Sequence, residues 1–599
     1  MPPELIEELA AIRERGHGAF WGAAAGDALG WPHEMPRRVR HQREGSGDRQ
    51  QIFSPWQRRS GGRFMPHEET INAGEYSDDT QLLLCTARSI VRGADWLTHF
   101  AYVELPTWSA YERGAGGATG RAVESWLNGE FPWSRKYDIE RRQKYFNAGG
   151  NGVAMRIIAH SLGGARSNDF RGIAQAIVLN GVCTHGHPRA LLGALLYGYV
   201  AWKAFQNFRT LPYGFLIESA IAESQKWAVL PVFEGVLKSW IAEAESLEID
   251  YSASWQRTVL ELQHLLQKAL DGIRAGVLVD DLKTLEQLGC FDSSVKGAGT
   301  ITAVGSIFLA SRYAPDPARG IHFAANLEGS DTDTLASMTG ALLGITSGID
   351  WLQQFLPKLQ DAHYLAKMAE AVSDCDPKVQ EVTDLKAPLA APRSSVRKFD
   401  EQLAHSEAGA QLRLPDGRSA TVEGVKPLTT SSATLNARLW RLRIADGQTI
   451  YVKKLGRDRT AASDELQLTA PKARARKSRW SSKVQAVKLL VRSLDQAKNF
   501  YGDLLGLKIA REAKTLINFG KVISLVPCES AQENGSQGPF DAGSTRAIVC
   551  VEVSNIDACY AKVKQFNEIK FSEMALKAGR RMFRCMDPDK NIVEIYEKQ

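Results

Sequence analysis

Apolar residues recur at helical spacing through most of the first 375 residues of this 599-residue chain. Residues 4–25 open with a helical pattern and run into Gly22-Ala23-Ala24-Ala25-Gly26-Asp27, small residues that let a second helix approach closely. Residues 35–75 are polar, Arg-rich and Gly-rich, and are read as one long loop. Residues 80–130 return to a helical pattern, punctuated by Arg113-Gly114-Ala115-Gly116-Gly117. Ala190 to Phe205 is an apolar helix, and residues 215–290 carry amphipathic stripes. Another helix follows Lys296-Gly297-Ala298-Gly299-Thr300 and ends near Tyr313, where Pro315 and Pro317 break it; the next starts at Arg319. This predicts an almost entirely α-helical domain over residues 1–375.

The period then changes. Residues 376–395 are rich in Pro and Ala and read as a linker. Leu412-Arg413-Leu414-Pro415-Asp416-Gly417-Arg418-Ser419-Ala420-Thr421-Val422 is nearly repeated, 30 residues on, by Leu442-Arg443-Ile444-Ala445-Asp446-Gly447-Gln448-Thr449-Ile450-Tyr451-Val452. Asp-Gly between alternating segments signals a hairpin. Two hairpins predict a small β-rich domain over 396–460, a barrel or sandwich. A basic linker follows over 461–482, containing Pro471-Lys472-Ala473-Arg474-Ala475-Arg476-Lys477-Ser478-Arg479. Residues 483–599 divide into two βαβββ halves. Strands are expected at 484–491, 508–513, 515–520 and 522–527 around a helix at 494–505, then at 547–553, 569–574, 579–586 and 592–597 around a helix at 555–566. The chain is therefore multi-domain: all-α, then β-rich, then α+β.

Composition changes this picture little. With 44% hydrophobic and 24% charged residues, a chain this long should form three or four folding units. No run of 18 uncharged apolar residues is present, and Met1-Pro2-Pro3-Glu4 does not begin a secretory signal, so no membrane association is expected. The eight cysteines include no CxxC pair and read as reduced thiols, which makes the cytoplasm the expected location. Charge is uneven: residues 393–483 hold 19 Lys plus Arg against 9 Asp plus Glu. Such a segment can contact nucleic acid or form a solvated spacer, and the spacer is the simpler reading.

Two stretches carry the candidate chemistry, Ser77-Asp78-Asp79-Thr80 and Gly329-Ser330-Asp331-Thr332-Asp333-Thr334. Each puts two carboxylates and neighbouring hydroxyls at the expected start of an apolar helix. Either alone reads as a well-capped helix. Brought into one pocket, four Asp side chains would repel strongly, and two hard divalent cations would neutralise them through carboxylate and hydroxyl oxygens. A Gly-rich segment, Asn147 to Arg156, can bring backbone N–H groups close to a diphosphate ahead of a helix. Phe146 or Tyr145 just before it could stack on a base or belong to the core.

These motifs, in order with Gly26-Asp27-Ala28-Leu29-Gly30, Glu34, Arg113-Gly114-Ala115-Gly116, Asn151-Gly152-Val153-Ala154-Met155-Arg156 and Thr184-His185, resemble the ADP-ribosylglycohydrolase family over about residues 15–355. The resemblance implies an all-α orthogonal bundle that releases ADP-ribose from an acceptor by cleaving the glycosidic bond at the distal ribose. It implies two Mg2+ or Mn2+ ions held by Ser77, Asp78, Asp79, Asp331, Asp333 and Thr334. Ser77 stands where the family often has Thr, which keeps the hydroxyl. Gly150, Asn151, Gly152, Met155 and His185 would bind ADP-ribose, and Glu34, Asp79 or Asp331 would handle the proton. An ADP-ribosylated protein or other ADP-ribosyl acceptor is the implied partner; a non-catalytic ADP-ribose-binding scaffold is the alternative.

Residues 483–599, with Phe500-Tyr501-Gly502-Asp503-Leu504-Leu505-Gly506 and Asp587-Pro588-Asp589-Lys590-Asn591, resemble the glyoxalase and bleomycin-resistance superfamily. Of that superfamily's metal positions only Glu594 carries a ligand type; Ala486, Lys488, Ser524 and Ile548 lie near the others. No metal is therefore expected there, and a ligand- or partner-binding module is. A chain acting mainly through this module, by sequestering a small molecule, is a further reading.

Overall fold

The first helix, Pro3–Glu34, packs antiparallel on the helix Thr332–Thr346 along a row of small residues four apart. Gly18, Gly22, Gly26 and Gly30 face the backbone of Gly344, Gly340, Ala336 and Thr332. A Cβ added at any of the four glycines would lie 2.1–2.2 Å from the facing carbonyl oxygen. Thr332 Oγ1 donates to the Gly30 carbonyl at 2.9 Å, fixing the register at the site end of the pair. The small-residue run in the sequence is thus used as expected. Replacing Gly26 by Val should cost about 3 kcal/mol, the upper end for overpacking, because backbone rather than a flexible side chain must yield. Urea unfolding would measure it, and a loss below about 1 kcal/mol would show that the helices can part cheaply.

The structure, a computed structural model, describes residues 3–34, 52–61, 65–207, 211–276, 280–377, 385–430 and 435–457, and then 482–491, 509–513, 516–519, 523–527, 547–553, 555–564, 572–577, 580–586 and 592–597. The chain divides into two compact units, Met1–Gln467 and Leu468–Gln599. Among the described residues no helix is long and apolar enough to cross a membrane.

In the first unit, helices including Asp78–Val91, Gly117–Leu127, Pro188–Gln206, Tyr251–Arg274, Gly299–Tyr313 and Ala362–Ser373 enclose an apolar core. The helix Gly299–Tyr313 stops before Pro315, and Pro317 opens the next helix, Pro317–Ala325, whose N-cap is Asp316. Within the stretch expected to be a loop, β1 (Trp56–Ser60) and β2 (His67–Ile71) form an antiparallel hairpin. Its strands looked like loop because they are polar, but cross-strand pairing satisfies them: Arg59 Nε donates to Glu68 Oε1 at 2.8 Å, and Arg58 stands opposite Glu69.

The second correction concerns residues 396–460. Both hairpins form, as β3 (Gln411–Arg413) with β4 (Ser419–Pro427), and β6 (Leu435–Ile444) with β7 (Thr449–Arg457). They make one open antiparallel sheet in the order β3-β4-β6-β7, not a barrel or sandwich. No second sheet is required because the helical body supplies the other layer: Val422, Leu442, Ile450 and Val452 belong to the same core as the helices. The two-residue strand β5 (Thr429–Thr430) also pairs with β2. The sheet is thus part of the first unit and not a body set apart by the 376–395 linker.

Among the described residues of the second unit, eight strands form one sheet. Its first half is β8 (Ser482–Val491), β9 (Ile509–Ala513), β10 (Leu516–Phe519) and β11 (Ile523–Pro527); its second is β12 (Ala547–Val553), β13 (Ala575–Lys577), β14 (Arg580–Met586) and β15 (Ile592–Glu597). The order β13-β14-β15-β12-β8-β11-β10-β9 is symmetric about an antiparallel β8–β12 junction, and each first strand runs parallel to its half's last strand. The helix Ile556–Lys564 matches the one expected at 555–566. The helix expected at 494–505, the linker over 461–481 and Asp587 to Asn591 lie outside the described residues.

Candidate active site

Because the glycine-lined helix pair is antiparallel, the C-terminal end of the first helix meets the start of the second carboxylate motif. Carboxylate oxygens of Glu34, Asp331 and Asp333 come within 4.8 Å of one another. The first motif joins them through Thr334, whose Oγ1 donates to Asp79 Oδ1 at 3.4 Å. Both motifs begin helices as predicted: Ser77 is the N-cap of Asp78–Val91, with its hydroxyl accepting from the Asp79 N–H at 3.4 Å, and Asp331 is the N-cap of Thr332–Thr346.

Asp27 holds the first motif in place, a role its position 50 residues upstream does not advertise. Its carboxylate accepts from the Ser77 N–H at 2.9 Å, the Thr80 N–H at 3.0 Å and the Thr80 hydroxyl at 2.6 Å. It thereby takes up N–H groups that a helix start leaves unpaired. Asp331 is held differently, with Asn151 Nδ2 donating to its Oδ2 at 2.9 Å.

The pocket is over-supplied with negative charge. Burial, then Asp27, Glu34 and Glu112, push the Asp78 carboxyl well above its usual range. Burial, then Asp27, Asp78 and Asp331, do the same to Asp79, and burial with Glu34, Asp331 and Asp79 to Asp333. Glu34 is raised by burial and by Asp331, with Arg58 and Lys296 opposing. Asp79 Oδ2 is buried without a hydrogen-bond donor. Four aspartates, one of them with an orphaned carboxylate oxygen, together with Glu34 and two hydroxyls make the donor set that hard divalent cations prefer, so the residues fit the expected metals. Glu34, expected only as a proton carrier, stands among the candidate ligands.

The Gly-rich segment is placed opposite. Gly150 forms a backbone bridge with Ala298, and the Asn151 N–H donates to Gly297 O at 2.9 Å. The expected helix after it is a three-residue 3₁₀ turn, Ala154–Arg156, followed by Ile158–Gly163. The Asn151 side chain is committed to Asp331 and Thr302, and Met155 is buried in the core. Arg156, fully buried, ties the loop down by donating to Gly152 O, Asn180 and Thr184 Oγ1. His185 lies against this loop: a Cβ at Gly150 would sit 3.6 Å from its Nε2, and one at Gly152 only 3.1 Å from its Cε1. Thr184 Oγ1, which accepts from Arg156, is 2.8 Å from His185 Nδ1 and fixes the ring with Nε2 facing the loop. Burial, then Arg156 and Arg121, lower the His185 pKa to about 3.

His187 is a structural cap, its ring accepting from the Arg189 N–H at 3.1 Å. Tyr145 and Phe146 are core residues: the Tyr145 hydroxyl donates to Val182 O at 2.6 Å and accepts from Trp240.

The charged residues of the β-rich segment are mostly paired. Arg393, Arg397, Arg418, Arg441, Arg443, Lys453 and Lys454 each contact a carboxylate.

Residues 8–381 match the family described as ADP-ribosylglycohydrolase, and residues 484–598 match the glyoxalase-like domain. The chain belongs to the ADP-ribosylglycohydrolase family, with a glyoxalase-like domain at its C-terminal end. It is 25% identical over 372 residues, 58% of this chain and 92% of the relative, to the uncharacterized protein YegU of Escherichia coli (strain K12). Among solved structures it is similar to an ADP-ribosylglycohydrolase-related protein complex, at 18% identity and a TM-score of 0.38, covering 61% of this chain and 99% of that one. Its C-terminal part is similar to a glyoxalase/bleomycin resistance protein/dioxygenase superfamily member from Vibrio splendidus 12B01, at 17% identity and a TM-score of 0.16, covering 20% of this chain and 100% of that one.

One pH prediction follows from His185. Its folded pKa lies below the ordinary value of 6.5, so the unfolded chain binds the extra proton first. The neutral ring therefore contributes stability that is complete above pH 6.5 and is lost as pH falls towards about 3. Melting curves of the native protein and His185→Gln should converge as pH falls through that window. Parallel curves would mean that the ring is protonated in the folded state.

Proposed function

We propose that the chain hydrolyses the glycosidic bond between the distal ribose of ADP-ribose and an acceptor. The observation that carries this reading is the convergence of Glu34, Asp331 and Asp333 with Asp78, Asp79 and Thr334 in one carboxylate cluster. Ser77, Asp78, Asp79, Asp331, Asp333 and Thr334 would hold two Mg2+ or Mn2+ ions. When bound, these supply charge for ribose hydroxyls and lower the pKa of an attacking water. Gly150 and Gly152 leave room for the diphosphate along the loop, and His185 turns Nε2 towards it. Asn151 acts through Asp331, setting the angle of that carboxylate. Cleavage passes through an oxocarbenium-like state at the anomeric carbon, so a carboxylate beside the ribose must accept the proton of the attacking water. Glu34, flanked by Arg58 and Lys296, is suited to this, and Asp79 or Asp331 are the other carboxylates within reach.

The test is release of free ADP-ribose from a panel of ADP-ribosylated acceptors, each with Mg2+ or Mn2+ and with chelator. Release that chelator abolishes supports hydrolysis. Metal-dependent binding of ADP-ribose without release from any acceptor would favour a binding scaffold instead. Salt-sensitive binding of an oligonucleotide by the full chain, in the same panel, would assign residues 393–483 to nucleic-acid contact, whereas we read them as structural and spacer.

A further inference from the structure

The family match ends at residue 381, yet β7, more than 60 residues beyond it, reaches the carboxylate pocket's supporting residues. We infer that Tyr451 and Lys453 are positioning residues for the metal motif, so that the appended sheet is a working part of the glycohydrolase domain. This rests on the metal-dependent reading above.

The connection is short. Arg113 is buried and pairs with Glu69 at 2.7 Å and Glu75 at 2.8 Å. The Tyr451 ring lies under its guanidinium at 4.2 Å, and the Tyr451 hydroxyl donates to Glu75 Oε1 at 2.6 Å. Lys453 Nζ donates to Glu69 Oε2 at 3.2 Å. Arg113, Lys453 and Arg58, which stands opposite Glu69, thus face two carboxylates, and one of these three cations comes from the sheet. Burial alone would raise the Glu69 carboxyl, but Arg113 and then Lys453 outweigh it and hold the pKa at about 2. Without Lys453 the buried Glu69 loses one of the cations that hold it ionised beside an already acidic pocket.

What the cluster holds is the loop that rests on Asp78. The Arg113 N–H donates to Gln81 Oε1 at 3.3 Å, three residues along the first motif's helix from Asp78. Gly114, at φ +120°, has no room for a side chain, since a Cβ would lie 2.6 Å from Asp78 Oδ1. Trp31, under Arg113 on its other side, keeps its buried indole N–H without a partner at this same point. A shift of Arg113 therefore moves backbone against a candidate metal ligand. Groups that orient a ligand in this indirect way change metal affinity by about 10–100-fold when lost.

The experiment compares Tyr451→Phe, Lys453→Met, Lys453→Arg and Arg413→Ala in the full chain. Arg413, exposed on β3 of the same sheet, serves as control. Three readouts are taken at a temperature where each variant is folded: Mn2+ affinity by calorimetry, kcat and KM on an ADP-ribosyl substrate, and hydrogen exchange of residues 111–117. Lys453→Met is expected to bind Mn2+ about tenfold more weakly. Its kcat should fall with KM little changed, and exchange in 111–117 should quicken. Lys453→Arg should recover most of the loss, and Arg413→Ala should change nothing. If Lys453→Met does not fold, Tyr451→Phe keeps the ring under Arg113 and carries the comparison. Native exchange and native Mn2+ affinity in the folded variants would overturn the inference. If the native chain binds no Mn2+, the metal reading fails, and exchange in 111–117 still decides whether the sheet positions the loop.

Discussion

Asp78→Asn and Asp333→Asn should each abolish turnover and weaken Mn2+ binding by on the order of 100-fold or more, while leaving the fold intact. Both side chains are buried among carboxylates that raise one another's pKa, so each is a source of repulsion in the metal-free protein. Removing one charge relieves that repulsion, and the melting temperature of the metal-free variant should equal or slightly exceed the native value. Added Mn2+ should then raise the native melting temperature and leave that of the variants unmoved, because a ligand stabilises only the state that binds it. Native Mn2+ affinity in either folded variant would dismantle the assignment of these carboxylates to a metal centre.

A chain ended near residue 380 should be much less stable than one ended near residue 467. The sequence pattern suggests a helical domain that folds without the rest, since every proposed site residue precedes the linker at 376–395. The structure argues against that: removing the sheet strips hydrogen-bond partners from Glu69, Glu75, Arg88 and Asp361, which pair with Lys453, Tyr451, Gln448 and the Thr449 N–H. A buried charged group left without its partner costs about 1–3 kcal/mol or more, against a total domain stability of about 5–15 kcal/mol. Water reaching the cut face would recover part of this, but the same cut uncovers the apolar layer that Leu442, Ile450 and Val452 close. Denaturant unfolding of the two chains would compare them directly. A soluble, cooperatively folded 1–380 chain with the Mn2+ affinity of 1–467 would restore the picture of an independent helical domain.

Much of the site was legible because it depends on local signals. Paired carboxylates before apolar runs mark both helix starts, the small residues from Gly22 to Gly26 mark a close helix contact, and Asp-Gly at 416–417 and 446–447 marks both hairpin turns. What stayed hidden is held by partners far apart in sequence. Asp27 reads as one polar residue in a small-residue run until its carboxylate meets Ser77 and Thr80. The β1–β2 hairpin looked like a loop because its polar residues pair only across strands. Nothing local announces that Gln448, fully buried, will accept from Arg88 across 360 residues, or that Tyr451 will reach Glu75. Hairpin signals describe how a sheet closes on itself and say nothing about the surface it covers.

The helix pair with which the fold begins also sets an order of events during synthesis. Gly18, Gly22, Gly26 and Gly30 leave the ribosome early, but the backbone they fit, from Thr332 to Gly344, follows some three hundred residues later. The sheet that caps the domain comes later still, at 411–457. Contacts of such long sequence separation form slowly, because the intervening chain must be ordered to bring them together. The two halves of the carboxylate pocket are therefore kept apart until the domain is nearly complete. A nascent chain cannot assemble its full set of candidate ligands, and so cannot capture metal in that pocket, before it has built the walls that enclose it.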